Sequence, residues 1–91
     1  MTQKTLESVE RIYKGLKLAL EFHGEGLYTF SVNGDYKGGK ISVQTNFRSI
    51  ETYGNIMGRI KSELLLKYGV TLEELHIEEL PKELGDMLLH I

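Results

Sequence analysis

Cysteine is absent from the 91 residues, which excludes disulfides, zinc-thiolate sites and thiol nucleophiles. The longest uninterrupted aliphatic run is the three leucines at positions 64–66, which is far too short to cross a bilayer. The first four residues contain no apolar segment of the kind that secretory signals carry. From these absences we expect a soluble, untargeted protein of the reducing cytoplasm with no membrane segment.

Neither sign of charge dominates the chain, because 11 Lys and Arg residues face 13 Asp and Glu residues, a net charge of −2. The distribution is uneven, however. Residues 1–61 carry nine basic and six acidic residues, a net +3, whereas residues 62–91 carry two and seven, a net −5. This polarity can orient a partner, but it is too weak to indicate nucleic-acid binding by itself. A hydrophobic content of 41% with a single proline predicts one small globular domain over residues 1–91.

The longest predicted element is a helix over residues 48–68, with Ser49 as N-cap and Gly69 as a left-handed C-cap. Its apolar positions recur at steps of three and four and form one stripe: Ile50, Tyr53, Ile56, Met57, Ile60, Leu64 and Tyr68. Gly54 and Gly58 interrupt this helix, and each costs about 1 kcal/mol of helix propensity relative to Ala. The pair permits close approach by a sheet, a second helix or a partner chain, and local packing or tolerance remains the alternative.

The first half of the chain is predicted to form a short helix and an antiparallel meander. Residues 5–15 place apolar side chains at helical spacing and are assigned to an N-terminal helix. From Leu16 the period changes to two, which predicts one strand up to His23 and a second over residues 28–33. Asn33-Gly34 matches a type I′ turn and predicts a hairpin to a third strand that ends at Asn46, with Gly38-Gly39 in that strand or at a bulge.

The C-terminal segment begins with Thr71-Leu-Glu-Glu74, which has the spacing of a helix capping box. A helix over the following residues is favoured, and an edge strand over residues 74–79 is the alternative. Leucines then continue at steps of three to five, with Pro81 expected to break or kink the run. The sequence thus predicts an α+β fold: an N-terminal helix, a three-stranded antiparallel meander, a long amphipathic helix on one sheet face and short C-terminal helical segments. The expected core is Leu18, Leu20, Phe22, Phe30, Val32, Ile41, Val43, Ile56, Ile60 and Leu64.

Two histidine–carboxylate pairs are the only spacings that suggest acid–base or metal chemistry. His23 and Glu25 flank Gly24 at a predicted strand end, and His76 and Glu79 lie three apart. No further ligand stands at a spacing that completes either set. The sequence therefore predicts no catalytic residue, no cofactor site and no metal site.

The most informative surface loop is residues 33–40, which contains Tyr36 beside two lysines. It matches neither GxGxxG nor the Walker A pattern. An exposed aromatic ring among cations suits contact with RNA or with a protein surface, so the candidate partner-binding residues are Tyr36, Lys37, Lys40 and Arg48. Solubilising charge at a hairpin tip is the simpler alternative.

The predicted order of helix, three antiparallel strands and helix resembles that of double-stranded-RNA-binding domains. Residues 30–34, Phe-Ser-Val-Asn-Gly, are similar to the middle of the second strand in those domains. The resemblance covers residues 6–68 and implies binding to the phosphate backbone of duplex RNA. The chain departs from the family at the lysine-rich start of the last helix, where residues 46–51 contain Arg48 as the single cation.

By elimination of catalytic and metal signatures, the sequence favours a small non-enzymatic protein-interaction module, an adaptor or inhibitor that covers a partner protein's surface. The alternative is a nucleic-acid-binding module that uses the Tyr and Lys side of the hairpin tip. We also expect a homodimer, because Leu64, Leu65 and Leu66 point in three directions around the helix and the third strand leaves an open edge guarded only by Lys40.

Overall fold

A computed structural model describes residues 6–91 as a four-stranded antiparallel sheet followed by two helices. The elements are β1 (Glu7–Tyr13), β2 (Leu16–Gly24), β3 (Leu27–Tyr36), β4 (Gly39–Arg48), α1 (Tyr53–Tyr68) and α2 (Leu80–Leu88). The strands are adjacent in chain order, so β1 and β4 form the two sheet edges. The predicted α+β class is confirmed, whereas the prediction of three strands and an N-terminal helix is wrong.

All three hairpins are closed by a charged residue followed by glycine. The first loop residue has a positive φ in each case, which is the backbone conformation of a type I′ turn. The φ pairs are 52° and 81° at Lys14-Gly15, 54° and 74° at Glu25-Gly26, and 49° and 78° at Lys37-Gly38. These repeated turns, each joining neighbouring strands, produce the meander.

Strand β1 occupies most of the segment that was assigned to an N-terminal helix; Thr5 lies outside the described residues. Its pairing with β2 sets Val9 opposite Leu20, Arg11 opposite Leu18 and Tyr13 opposite Leu16. Val9, Arg11 and Tyr13 therefore face the core side at a period of two. Arg11 hides the alternation of apolar and polar residues in the sequence, because it is a charged residue at an inward position. Its guanidinium binds Glu83 of α2 at 2.8 Å instead of facing solvent.

Strand β3 continues through Asn33-Gly34, so the predicted turn there is wrong. Gly34 pairs with Ile41, and the actual turn lies four residues later at Lys37-Gly38. A Cβ at position 34 would overlap the side chain of Leu16, so close packing explains this glycine better than turn geometry. Gly38, which was predicted to lie in the third strand or at a bulge, is a turn residue instead, and Gly39 is the first residue of β4.

Helix α1 lies on the inner side of the sheet and packs chiefly on β4. It begins later than predicted, because Thr52 caps it by accepting a hydrogen bond from the Asn55 backbone N–H at 3.2 Å. Ser49 is not the cap, and Ile50 is 87% exposed. Gly69 ends the helix with a φ of 66°, which confirms the predicted left-handed C-cap. The predicted core residues are buried except Phe22, which is half-buried and packs against the Tyr28 ring.

The segment between the helices is neither the predicted helix nor the alternative strand. The capping box itself forms, with Glu74 N–H donating to Thr71 Oγ1 at 3.2 Å and Thr71 N–H donating to Glu74 Oε1 at 3.3 Å. Leu72 and Ile77 are both buried, and residues five apart cannot share one helix face. The chain therefore turns at His76, whose φ is 60°. Pro81 lies in the first turn of α2, where it starts that helix instead of breaking it.

None of the helices within residues 6–91 combines the length and the apolar character that a membrane span requires.

Candidate functional site

Three of the predicted partner-binding residues lie together at the β3–β4 hairpin tip. Lys37 Nζ lies 5.4 Å from the centre of the Tyr36 ring, and Tyr36 Oη donates to Glu74 Oε2 at 3.3 Å. Lys40 Nζ lies 3.6 Å from Asp35 Oδ1, so its charge is partly balanced. The tip thus carries one carboxylate near each strand: Glu74 beside Tyr36 of β3 and Asp35 beside Lys40 of β4.

Arg48 is not part of this group. It ends β4, eight positions from Lys40, and a strand of that length spans about 26 Å. Its backbone N–H donates to Glu51 Oε2 at 2.9 Å, which ties the strand end to the start of the helix. The structure therefore separates Arg48 from Tyr36, Lys37 and Lys40.

The histidines of the two histidine–carboxylate pairs, His23 and His76, lie in unrelated environments. The His23 Nε2 atom is 2.8 Å from Thr29 Oγ1, and Thr29 donates in turn to Asn46 Oδ1 at 2.6 Å, so these side chains form a polar chain on the outer sheet face. His76 stands in an exposed turn. Within residues 6–91 no cluster of three or more His, Cys, Asp or Glu side chains could hold a metal ion.

The most unusual surface is one row of α1 that points away from the core. We call it the glycine row; it consists of Gly54, Gly58, Ser62 and Leu66, four residues apart along the helix. All four are exposed. A Cβ placed at Gly58 would meet nothing within 4 Å, and one at Gly54 would meet only Thr52 Oγ1, at 3.8 Å. No close contact among the described residues requires either glycine.

A shallow groove of about 680 Å³ lies between the glycine row and the edge of β4. Gln44 and Thr45 form its strand wall, and Arg59 and Glu63 lie on the helix wall. Leu66, which is 85% exposed, closes one end. Leu65 beside it is 58% exposed, so the C-terminal half of α1 presents two adjacent apolar side chains to solvent.

Side chains of α1 form hydrogen bonds with outward backbone groups of β4 on either side of Gln44. Ser42 N–H donates to Tyr68 Oη at 3.0 Å, and the Tyr68 hydroxyl donates to Ser42 O at 3.1 Å. Arg59 donates from Nη2 to Asn46 O at 3.1 Å and from Nε to Thr45 Oγ1 at 2.8 Å. The β4 edge is therefore guarded by far more than Lys40, and only the stretch at Gln44 opens into the groove.

The charges around the groove are held in ion pairs. Arg59 Nη1 lies 2.8 Å from Glu51 Oε1, and this contact, with the hydrogen bond from the Arg48 backbone N–H, holds the pKa of the Glu51 carboxyl below its ordinary value. Lys67 lies 3.0 Å from Glu63, one turn along the helix, and the pKa of Lys67 is raised by that carboxylate. The two charged residues of the helix wall, Arg59 and Glu63, therefore each have a partner of opposite charge within the chain.

Comparison with protein-family models, with curated proteins and with solved structures gave no match. The site must therefore be judged from its own geometry. The sequence already showed the signal for the glycine row, namely two glycines four apart inside a helix. What it could not show is that the surrounding space is empty, and this follows only from the position of α1 beside β4.

Proposed function

We propose that the protein is a small non-enzymatic protein-interaction module and that a helix of a partner protein docks on the glycine row of α1. The observation that carries the proposal is the unused space at Gly58. A helical glycine costs about 1 kcal/mol relative to alanine, and nothing within the described chain offsets that cost. Close approach by another backbone is a physical reason for such a residue.

The shape of the surface favours a helix as the occupant. Small residues at Gly54, Gly58 and Ser62 form a shallow channel along an i, i+4 row, into which side-chain ridges of a second helix can pack. Leu65 and Leu66 at one end supply apolar surface that is otherwise left in water. A strand is a poorer occupant, because Tyr68 already bonds to Ser42 N–H and Arg59 to Asn46 O, which are outward groups of β4 on the two sides of Gln44.

The alternative of nucleic-acid binding has weaker support from the geometry. Its four candidate residues do not form one surface, because Arg48 lies at the opposite end of β4 from the hairpin tip. Lys40 is accompanied by Asp35. The chain also has four strands within residues 6–91 where the resemblance to double-stranded-RNA-binding domains implied a helix and three strands. Location in the cytoplasm stays a prediction from the sequence.

The test is affinity capture with the wild-type chain and two variants, followed by binding measurements with purified proteins. Gly58→Leu fills the channel, whereas Lys82→Leu adds the same side chain to an exposed position of α2 and serves as the control. We expect at least one protein to be captured by the wild type and by Lys82→Leu but not by Gly58→Leu. That protein, once purified, should bind the wild type directly in calorimetry and lose most of its affinity for Gly58→Leu.

Two outcomes would contradict the proposal. If every captured protein binds Gly58→Leu as well as the wild type, the glycine row is not the docking surface. If no protein binds directly while duplex or single-stranded RNA binds at low salt with an affinity that falls steeply as salt rises, the nucleic-acid alternative replaces the proposed function.

A further inference from the structure

The two edge strands of the sheet differ in whether their outward backbone groups have hydrogen-bond partners. On β4, side chains of Tyr68, Arg59 and Glu51 bond to outward backbone groups. On β1, pairing of Tyr13 with Leu16 around a two-residue turn directs the N–H and C=O groups of Ser8, Glu10 and Ile12 away from β2. None of these groups has a hydrogen bond to another residue within 6–91. Open edges of this kind pair readily with another strand.

Several side chains in and next to β1 are also exposed and could contact a second strand. Ile12 is 71% exposed and Leu6 is 59% exposed, so both ends of the strand present apolar surface. Glu7 is exposed, and it makes no ion pair with any residue that the structure describes. Arg11 Nη1 lies 2.8 Å from Glu83 Oε2 and 3.9 Å from Asp86 Oδ2, and its planar group keeps further N–H donors for a carboxylate of another chain.

We propose that β1 pairs with β1 of a second copy of this chain, antiparallel and centred on Val9, so that two sheets join into one of eight strands. This register sets Leu6 opposite Ile12 of the second copy and Glu7 opposite Arg11 of the second copy. Ser8 then faces Glu10, and Val9 meets its own symmetry mate. Each of these pairs occurs twice because the interface is two-fold symmetric.

Neighbouring registers are worse for electrostatic reasons. Centring on Glu10 places that carboxylate opposite itself, and centring on Arg11 does the same with two guanidinium groups. A shift by one residue would pair inner with outer positions and turn the two cores to opposite sides. In the register centred on Val9, Glu7 and Arg11 occupy a non-hydrogen-bonded pair, where cross-strand side chains lie closest.

The dimer does not depend on the proposed function. Helix α1 packs on β4 at the opposite edge, so both glycine rows remain open at the outer ends of the joined sheet. The interface is one strand wide and smaller than the roughly 800 Å² per copy of stable complexes, and we expect dissociation in the micromolar range. The protein would then present two equal docking surfaces to its partners.

The register is tested by single cysteines, which are unambiguous because the chain has none. Residues opposite each other in a non-hydrogen-bonded pair have Cα atoms about 4.5 Å apart, close enough for a disulfide. Val9→Cys should therefore form a disulfide-linked dimer under mild oxidation. Ile12→Cys is the control, because it is more exposed than Val9 but lies away from the two-fold axis. Equal cross-linking of both, or preferential cross-linking of Glu10→Cys, would overturn this register.

Sedimentation equilibrium tests the association itself. The wild type should pass from 10.4 kDa to twice that mass with rising concentration. Glu7→Arg places like charges opposite each other twice and should weaken association by roughly tenfold or more, whereas the same change at exposed Glu73 should not. Ser8→Pro removes an outward N–H from each copy and should also give monomers, with the fold kept because that N–H is not used in the ladder.

Three results would overturn the proposal. One is a wild type that stays at monomer mass at high micromolar concentration. Another is a dimer that Glu7→Arg and Ser8→Pro leave intact. The third is a dimer that is lost in Gly58→Leu, since this would place self-association on the glycine row. Loss of partner capture in Gly58→Leu with an unchanged dimer would leave both proposals standing, so the two can fail separately.

Discussion

Replacing Gly58 by alanine should stabilise the isolated protein. Gly58 is an interior residue of α1, and an interior glycine costs about 1 kcal/mol relative to alanine. Beyond its chain neighbours and the helix's own backbone, the added methyl group would meet no described atom within 4 Å, so no clash offsets the gain. We expect the free energy of unfolding to rise by roughly 0.5–1 kcal/mol, which for a domain of this size corresponds to about 2–8 °C in Tm.

The measurement is urea and thermal unfolding followed by circular dichroism, at one fixed protein concentration because association at β1 would add to the apparent stability. Gly85→Ala is the matched control, since a Cβ at position 85 of α2 would lie 3.3 Å from Tyr53 Oη and should gain less or lose. Gly58→Ala should at the same time weaken partner binding. If Gly58→Ala is neutral or destabilising in the isolated chain, the glycine serves the fold itself, and the argument for a docking surface fails.

Three further perturbations test other parts of the structure. Ile60→Asp places an unpaired charge at a fully buried position of α1 and should lower stability by at least about 4 kcal/mol, seen as loss of the cooperative thermal transition; an equally stable variant would show that the buried face of α1 is misassigned. Lys14→Asn should raise the free energy of unfolding by up to about 1 kcal/mol, seen as a higher urea midpoint, because asparagine tolerates the φ of 52° at that turn better than lysine does; no rise would mean that this conformation is not strained. The lowered pKa of Glu51 means that its bonds stabilise the fold above the ordinary pKa of the carboxyl and are lost as pH falls through the folded-state pKa. Carboxyl NMR titration should show that Arg59→Met returns the pKa of Glu51 toward its ordinary value, and an unmoved pKa would refute the assigned cause.

The inner face of the sheet could be predicted although one turn was misplaced. Moving the turn from Asn33-Gly34 to Lys37-Gly38 shifts every partner in β4 by an even number of residues. An even shift keeps each side chain on its own face, so Phe30 and Val43 remain in the core. Alternating hydrophobicity thus predicts which face of the sheet each side chain occupies more reliably than it predicts which residues pair across two strands.

Strand β1 was missed because one inward position carries a charge. Val9, Arg11 and Tyr13 alternate, but an arginine in the middle removes the apolar period of two and leaves a spacing that also fits a helix. The signal that could have corrected this is Lys14-Gly15, since a charged residue followed by glycine closes each hairpin within residues 6–91. At Thr71 the local prediction is correct and the longer one is wrong. The hydrogen bonds of the capping box form as predicted, but Leu72 and Ile77 are both buried, and this burial ends the turn before a helix can follow.

The position of α1 connects the guarded edge with the exposed glycine row. To reach the outward groups of Ser42 and Asn46, Tyr68 and Arg59 must project from a helix that lies along β4. A helix placed there buries one face on the margin of the sheet and has no second layer above its other face. That other face could have been filled with charged helix-forming residues at no structural penalty, yet it carries two glycines and two exposed leucines. The same placement that protects the strand edge thus leaves a surface whose composition no contact within residues 6–91 explains, and the proposed helix of a partner protein would account for it.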